Sequence, residues 1–289
     1  MSWSASGRRG RAGRSGSRSW LAAALVVILA SGVTYLILRP SNQPAPRATV
    51  CEVGPDLQLT TGQAAIAATI AGVASRRELP TRAVAIAYAT ALQESKLANL
   101  HYGDLDSVGV FQQRPSQGWG TARQLEDPVY ATERFFDALT AVPNYQRLPI
   151  YAAAQDVQHS ADGQAYDQYA SVGTAMAAAF TGVDPHAVWC SYADPAAKPS
   201  LVAAGRAMTS AFGLIARPAG AGKTLFVQPG SDGQGWAVAG WLVSNAAAYG
   251  ITTVRYQGFR WLGFTGPSRW MPLTNQGRPP GAPSNVEFG

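Results

Sequence analysis

Histidine and cysteine are scarce in this chain of 289 residues. His101, His159 and His186 are scattered and fit no ligand spacing. A multi-histidine metal centre is therefore hard to build, and neither a metal nor another cofactor is expected. Two cysteines, Cys51 and Cys190, are too few for a disulfide-dense mini-protein. Lysine is nearly absent, with three against twenty arginines. Acidic residues are missing from residues 1–40, which hold six arginines. Residues 41–289 carry 17 basic and 17 acidic side chains, so the net charge of +6 belongs wholly to the N-terminus. The pI near 9.5 is then no sign of a nucleic-acid-binding fold, and no nucleic-acid partner is expected. What the chain does have is apolar bulk. At 47% hydrophobic residues it can bury a sizeable core, which excludes disorder throughout.

Residues 21–38 read LAAALVVILASGVTYLIL, 18 residues without a charge. As a helix this run is about 27 Å long, close to a bilayer's hydrocarbon thickness. Trp20 and Arg39 flank it, with five arginines before it and one after. The pattern predicts a transmembrane helix over 21–38 acting as a signal-anchor. The N-terminus would be cytoplasmic and the bulk of the chain extracellular, giving a single-pass protein of the cell membrane. The membrane is then a partner through one N-terminal helix. A cleaved signal peptide with Ala30 and Gly32 at the small-residue site is the alternative, and it also exports the rest. Residues 1–20 read as an Arg-rich, disordered cytoplasmic tail and residues 39–59 as a linker.

In an oxidising exterior, Cys51 and Cys190 would form one disulfide. It would close a loop of about 140 residues and contribute up to about 5 kcal/mol in the chain-entropy picture. Two buried free thiols are the alternative. Helices are predicted over 62–75, over 82–95 with Thr81 as cap after Pro80, and from Pro128 to about Ala141 with Asp127 as cap. Three more are predicted over 150–160, 166–180 and 200–215. No alternating strands are visible before residue 220. The expected fold class is mainly α, with residues 60–215 as one α-rich domain. After a Pro/Gly/Ala linker, residues 224–271 read as a small α+β module with Trp236, Trp241, Trp261 and Trp270 for a core. Residues 272–289 read as a flexible tail.

Several motifs fail. Residues 220–224 resemble the end of a phosphate-binding loop, but Arg217 stands where a glycine is needed. Asp104 and Asp106 could seed a calcium loop, but the further oxygen ligands are missing at loop spacing. No serine sits in a nucleophile elbow.

The informative stretch runs Ala91-Leu-Gln-Glu-Ser-Lys96, then Tyr102-Gly-Asp-Leu-Asp-Ser-Val-Gly-Val-Phe-Gln-Gln-Arg114. Glu94 falls in the last turn of a helix that is apolar on nearly all sides. Partial burial and the negative helix end both disfavour an ionised carboxylate, and a carboxyl that keeps its proton can act as a general acid. Glu94-Ser95 at a helix end, followed by a loop and Gly109-Val110-Phe111-Gln112, resembles the signature of lytic transglycosylases and the goose-type lysozyme superfamily. The wider run from Ala91 to Tyr169 looks like a branch of that superfamily in exported, membrane-anchored proteins of high-GC bacteria. That branch has a similar segment at 107–120, an Asp127-Pro128 helix start and an Ala154-x-x-Val157-Gln158 segment. The arginine-over-lysine bias suits such a source.

The resemblance implies a lysozyme-like helical domain acting on peptidoglycan glycan strands, at the MurNAc-GlcNAc β-1,4 bond. It implies Glu94 as general acid/base, with the sugar's own 2-acetamido group or close electrostatics assisting. Substrate contacts are expected from Ser95, Gln112, Gln113, Tyr102, Trp119, Gln155 and Gln158. Tyr145 is a further aromatic candidate, and His159 is expected to be structural. A hydrolytic muramidase would instead use a second carboxylate, Asp104 or Asp106. Gln113-Arg114 stands where some goose-type enzymes have an aspartate, which favours the transglycosylase outcome. A non-catalytic peptidoglycan-binding module is the other alternative, and a scaffold working through residues 224–271 is a third. Secretion or conjugation machinery is the expected wider partner.

Overall fold

The computed structural model describes residues 49–159, 163–193, 198, 200–220, 224–264, 269–273 and 285–289. Strand β1 (Val50–Val53) pairs antiparallel with β2 (Leu57–Leu59) on one side and β3 (Val188–Ser191) on the other. Cys51 and Cys190 stand directly opposite each other in this register and are joined as a disulfide. The bond clamps two segments 139 residues apart.

Most of the helices lie in the chain between β2 and β3. Thr60 and Gln63 form a reciprocal capping box that starts α1 (Thr61–Arg76). Helix α2 (Thr81–Ser95) starts after Pro80, which stands at the cap position without a side-chain bond. Thr81 is thus the first helical residue, not the cap, and its hydroxyl faces that of Thr181 at 3.4 Å. Residues 83–91 of α2 are all buried. Short α3 (Ala122–Leu125) precedes α4 (Pro128–Ala141), where Asp127 accepts from the Val129 N–H and Pro128 takes the first position. Helix α5 (Ile150–Gln158) ends at a left-handed His159. A 3-10 helix (Gly163–Tyr169) leads into α6 (Ala170–Phe180), which packs along α2, and α7 (Leu201–Phe212) packs on α1.

The later residues form a six-stranded sheet from β4 (Arg217–Pro218), β5 (Leu225–Val227), β6 (Thr253–Tyr256), β7 (Phe259–Leu262), β8 (Met271–Pro272) and β9 (Val286–Phe288). Its order is β4-β5-β9-β6-β7-β8, and its pairings are antiparallel. Helix α8 (Asp232–Ser244) packs on this sheet, on β3 and on α1, and α9 (Ala246–Tyr249) follows it. Trp236, Trp241, Trp261 and Trp270 are all buried. The Trp261 and Trp270 indoles donate to the Cys190 and Val188 carbonyls, tying this segment to β3. Tyr192, just past β3, lies within hydrogen-bond distance of the Val243 and Ser244 carbonyls at the end of α8, and burial pushes its hydroxyl pKa up. The described residues form one compact unit.

Two expectations need correction. The fold class is not mainly α: it is a mixed α/β domain, with β1, β2 and β3 where no strands were read and with β9 inside the stretch read as a tail. The transmembrane expectation is corrected as well. No helix among the described residues is long and apolar enough to cross a membrane. The longest, α1, has 16 residues and ends on Arg76, which pairs with Glu133 on α4. Residues 21–38 lie outside the described residues. The signal-anchor, the single-pass membrane localisation with its cytoplasmic N-terminus and extracellular bulk, and the membrane partner were read on that segment, and no described helix supports them.

Replacing Cys51 and Cys190 together by alanine is expected to lower the unfolding free energy by about 3–5 kcal/mol. Denaturant unfolding followed by tryptophan fluorescence checks this.

Candidate active site

With its middle buried, α2 can offer polar chemistry only from its ends. At its C-terminus Lys96 and Leu97 both turn left-handed, with φ of 56° and 58°. The Lys96 carbonyl accepts from the Gln63 side chain, which satisfies one of the helix's free carbonyls. Glu94, in the last turn, is half-buried. The Tyr166 hydroxyl donates to its Oε1 at 2.6 Å. Tyr166 is buried and stands in the 3-10 helix that lies against this helix end. Gln168 in the same segment donates to Gln93, and the Lys96 ammonium donates to the Tyr169 hydroxyl while lying 4.7 Å from its ring centre.

Opposite this segment is the turn at 109–112. Ser95, itself buried, donates its hydroxyl to the Val110 carbonyl at 2.7 Å and accepts from the Ala98 N–H. Gly109 has a φ of 78°, and a Cβ there would lie 2.2 Å from the Leu125 carbonyl oxygen, so only glycine fits. Val108 and Gln113 close the turn as a β-bridge. Phe111 stacks on Phe135 of α4 with centroids 4.5 Å apart, and its carbonyl accepts from Gln158 of α5 at 2.8 Å. The turn is therefore held from α2, α4 and α5 at once.

The expected sugar-contacting residues divide into groups. Ser95 and Gln158 hold the turn, as above. Gln112 donates to the Gly109 carbonyl, and buried Gln113 donates to the Ala131 carbonyl. These four side chains bond the protein's own backbone. Trp119 and Gln155 come together on a cavity of about 680 Å³ whose other walls include Val142, Pro143, Asp156 and His159. Tyr102 is 73% exposed, whereas Tyr145 is buried in the core cluster.

The two aspartates differ. Asp104 is exposed, and its carboxylate makes no hydrogen bond among the described residues. Asp106 accepts from Arg114 Nε at 3.0 Å, from the Ser116 N–H at 2.7 Å and from the Ser116 hydroxyl at 2.9 Å. The Arg114 guanidinium, helped by the Ser116 N–H, holds this carboxyl down at about 2. Asp106 therefore stays ionised and occupied. Among the described residues no cluster of three or more His, Cys, Asp or Glu side chains is placed to hold a metal ion.

Tyr166 is the residue that sequence reasoning missed. It lies 72 positions from Glu94, in a segment with no local pattern to mark it. No family model matches this chain, and no curated protein matches it.

Two outcomes follow from this geometry. Gly109→Ala should cost at least about 2 kcal/mol of stability, because the turn cannot take a Cβ; thermal unfolding reads it. The Asp106 contact should also show in the pH dependence of stability. Its folded pKa of about 2 lies below the ordinary 3.8, so its contribution is full above about pH 4 and is lost as pH falls towards 2. The stability gap between wild type and Asp106→Asn should narrow over that interval in denaturant titrations at stepped pH.

Proposed function

We propose that this chain cleaves peptidoglycan glycan strands at the MurNAc-GlcNAc β-1,4 bond. It would act as a glycosidase of the lytic transglycosylase type, with Glu94 as its single general acid/base. One observation carries the reading. Glu94 holds a half-buried carboxylate at the end of a buried helix, beside a turn fixed from three helices, with the Tyr166 hydroxyl as its hydrogen-bond partner among the described residues. Such a group is fixed in place yet keeps Oε2 free of protein hydrogen bonds among those residues. The resemblance of Glu94-Ser95 and residues 109–112 to lytic transglycosylases supplies the substrate class.

In this mechanism Glu94 gives its proton to the glycosidic oxygen as the bond to C1 breaks. The 2-acetamido oxygen of the same sugar supports the electron-poor C1, in the substrate-assisted manner. Glu94, now a carboxylate, takes the proton of the C6 hydroxyl while O6 closes on C1. The product carries a 1,6-anhydro ring and no water is consumed. Tyr166 holds the carboxyl group in place through both steps. The engagement of Asp106 with Arg114 and Ser116 supports a one-carboxylate scheme. Trp119 and Gln155, on their shared cavity, are the residues best placed to meet further sugars.

Mass spectrometry of purified peptidoglycan digested with the full chain tests this. Muropeptides lighter by one water than hydrolytic products are expected, and Glu94→Gln should abolish them. Tyr166→Phe should lower kcat about tenfold or more, the worth of one hydrogen bond to a charged group. Hydrated products would replace the reading by a muramidase, with Asp104 next to be mutated. Binding without cleavage by wild type would replace it by a binding module.

A further inference from the structure

One face of the six-stranded sheet is covered by α8. Val254, Tyr256, Trp261 and Phe288 are buried on it, and Tyr256 meets Trp236 of α8 edge to face. Successive side chains of a strand alternate between its faces, so the residues between these belong to the opposite face. The strand registers set them in one row. Arg217 stands opposite Phe226, Phe226 opposite Glu287, Glu287 opposite Arg255, Arg255 opposite Arg260, and Arg260 opposite Met271. The row crosses every strand of the sheet. Arg217 and Arg255 are exposed, while Phe226 and Met271 are half-buried and stand outside the core cluster.

The row's charge is not neutralised from within. Arg255 and Arg260 face each other across the β6–β7 pair, where like charges repel at a Cβ separation of about 5 Å. Among the described residues none of the three guanidinium groups makes an ion pair or a hydrogen bond. Arg260 Nε is buried without a hydrogen-bond partner. An oxyanion shared by Arg255 and Arg260 would relieve their repulsion and accept from both guanidinium forks. A small ion cannot serve the whole row, because Arg217 lies three strands from Arg255, about 14 Å at the usual strand spacing. A polymer that repeats its charge can. Glu287 already offers a carboxylate beside Arg255 and forms no ion pair with it, which favours phosphate as the anion. Phe226 is the single aromatic of the row, so successive bases of a nucleic acid would find no successive platforms.

We propose that the row from Arg217 to Met271 binds a phosphodiester polymer with a polyol backbone. Arg255 and Arg260 share one phosphate, Arg217 takes another, and Phe226 meets the carbon linker between them. The site is independent of the reading of Glu94, because it is built wholly from the six-stranded sheet.

The test titrates the full chain against fluorescently labelled poly(glycerol phosphate), read by anisotropy at stepped salt. The six arginines of residues 1–40 are common to wild type and variants, so the difference between them isolates the row. Arg255→Gln with Arg260→Gln is expected to weaken binding about tenfold or more at low salt and to flatten the slope of log K against log salt by about 0.7, one phosphate's worth. Arg217→Gln should flatten it by a similar amount. Arg255→Lys with Arg260→Lys keeps the charge but loses the forks, and should weaken binding with little change of slope. Thermal unfolding checks folding, and the paired glutamine variant should be no less stable than wild type because a repulsion is removed. Should that variant fail to fold, Arg217→Gln on the exposed edge strand still tests the row. Equal binding by wild type and the folded variants overturns the proposal. Poly-L-glutamate of matched charge bound as tightly as poly(glycerol phosphate) would overturn the assignment to phosphate. Oligo-dT bound tenfold tighter would replace the polyol polymer by a nucleic acid. Glu94→Gln should bind as wild type does, so a failure here leaves the reading of Glu94 standing.

Discussion

Burial of α2 on every side is the constraint from which the rest follows. Nine consecutive residues, 83–91, are out of solvent, and small alanines alternate with Val84, Ile86 and Tyr88. Such a helix has no polar face, so water meets it only at its ends. Close packing is needed to achieve this: a Cβ at Gly173 of α6 would lie 2.9 Å from the Ala85 carbonyl oxygen. The helix's last turn then faces two demands. Its free carbonyls need donors, and one comes from Gln63. Its direction must reverse at once, and Lys96 and Leu97 do so with positive φ. Glu94 sits where these demands meet.

Much of the polar chemistry around that helix end is consumed by the protein itself. Ser95, Gln112, Gln113 and Gln158 each donate to a backbone carbonyl, because a tight turn packed between helices leaves its carbonyls without water. Asp106 is spent on Arg114 and Ser116. Glu94 with its partner Tyr166 and exposed Tyr102 flank this turn, and Trp119 and Gln155 line a cavity of about 680 Å³.

Helix positions were legible in the sequence wherever local chemistry encodes them. Asp127 and Pro128 start α4 as read, and α1 lies within a residue or so of its expected span. The α2 start was misassigned by one residue, because Pro80 takes the cap position that Thr81 was given. The strands β1, β2, β3 and β9 were not legible. β1, β2 and β3 are three or four residues long, and their pairing is long-range, so no local alternation announces them. β9 is three residues in a proline-bearing stretch. Glu94 was legible as a candidate from its helix end and the turn that follows it. Tyr166 was not, because only the folded chain brings it to the carboxylate. That Gln112, Gln113 and Gln158 donate to backbone carbonyls was not legible either, because a sequence does not show which amides a nearby backbone will claim.

The position of β9 sets an order on how this molecule is made. The strand lies between β5 and β6, which are otherwise not neighbours. A ribosome delivers β5, α8 and β6 well before Val286–Phe288. Through that interval both flanking strands present unpaired N–H and C=O groups to the surroundings, the condition in which strands recruit foreign partners. The segment enclosed by Cys51 and Cys190 has no such wait, since its pairing partners precede the sheet in the chain. Biosynthesis therefore passes through a species in which β1 and β3 can already pair while the later sheet is open, and Val286–Phe288 closes it by bridging β5 and β6.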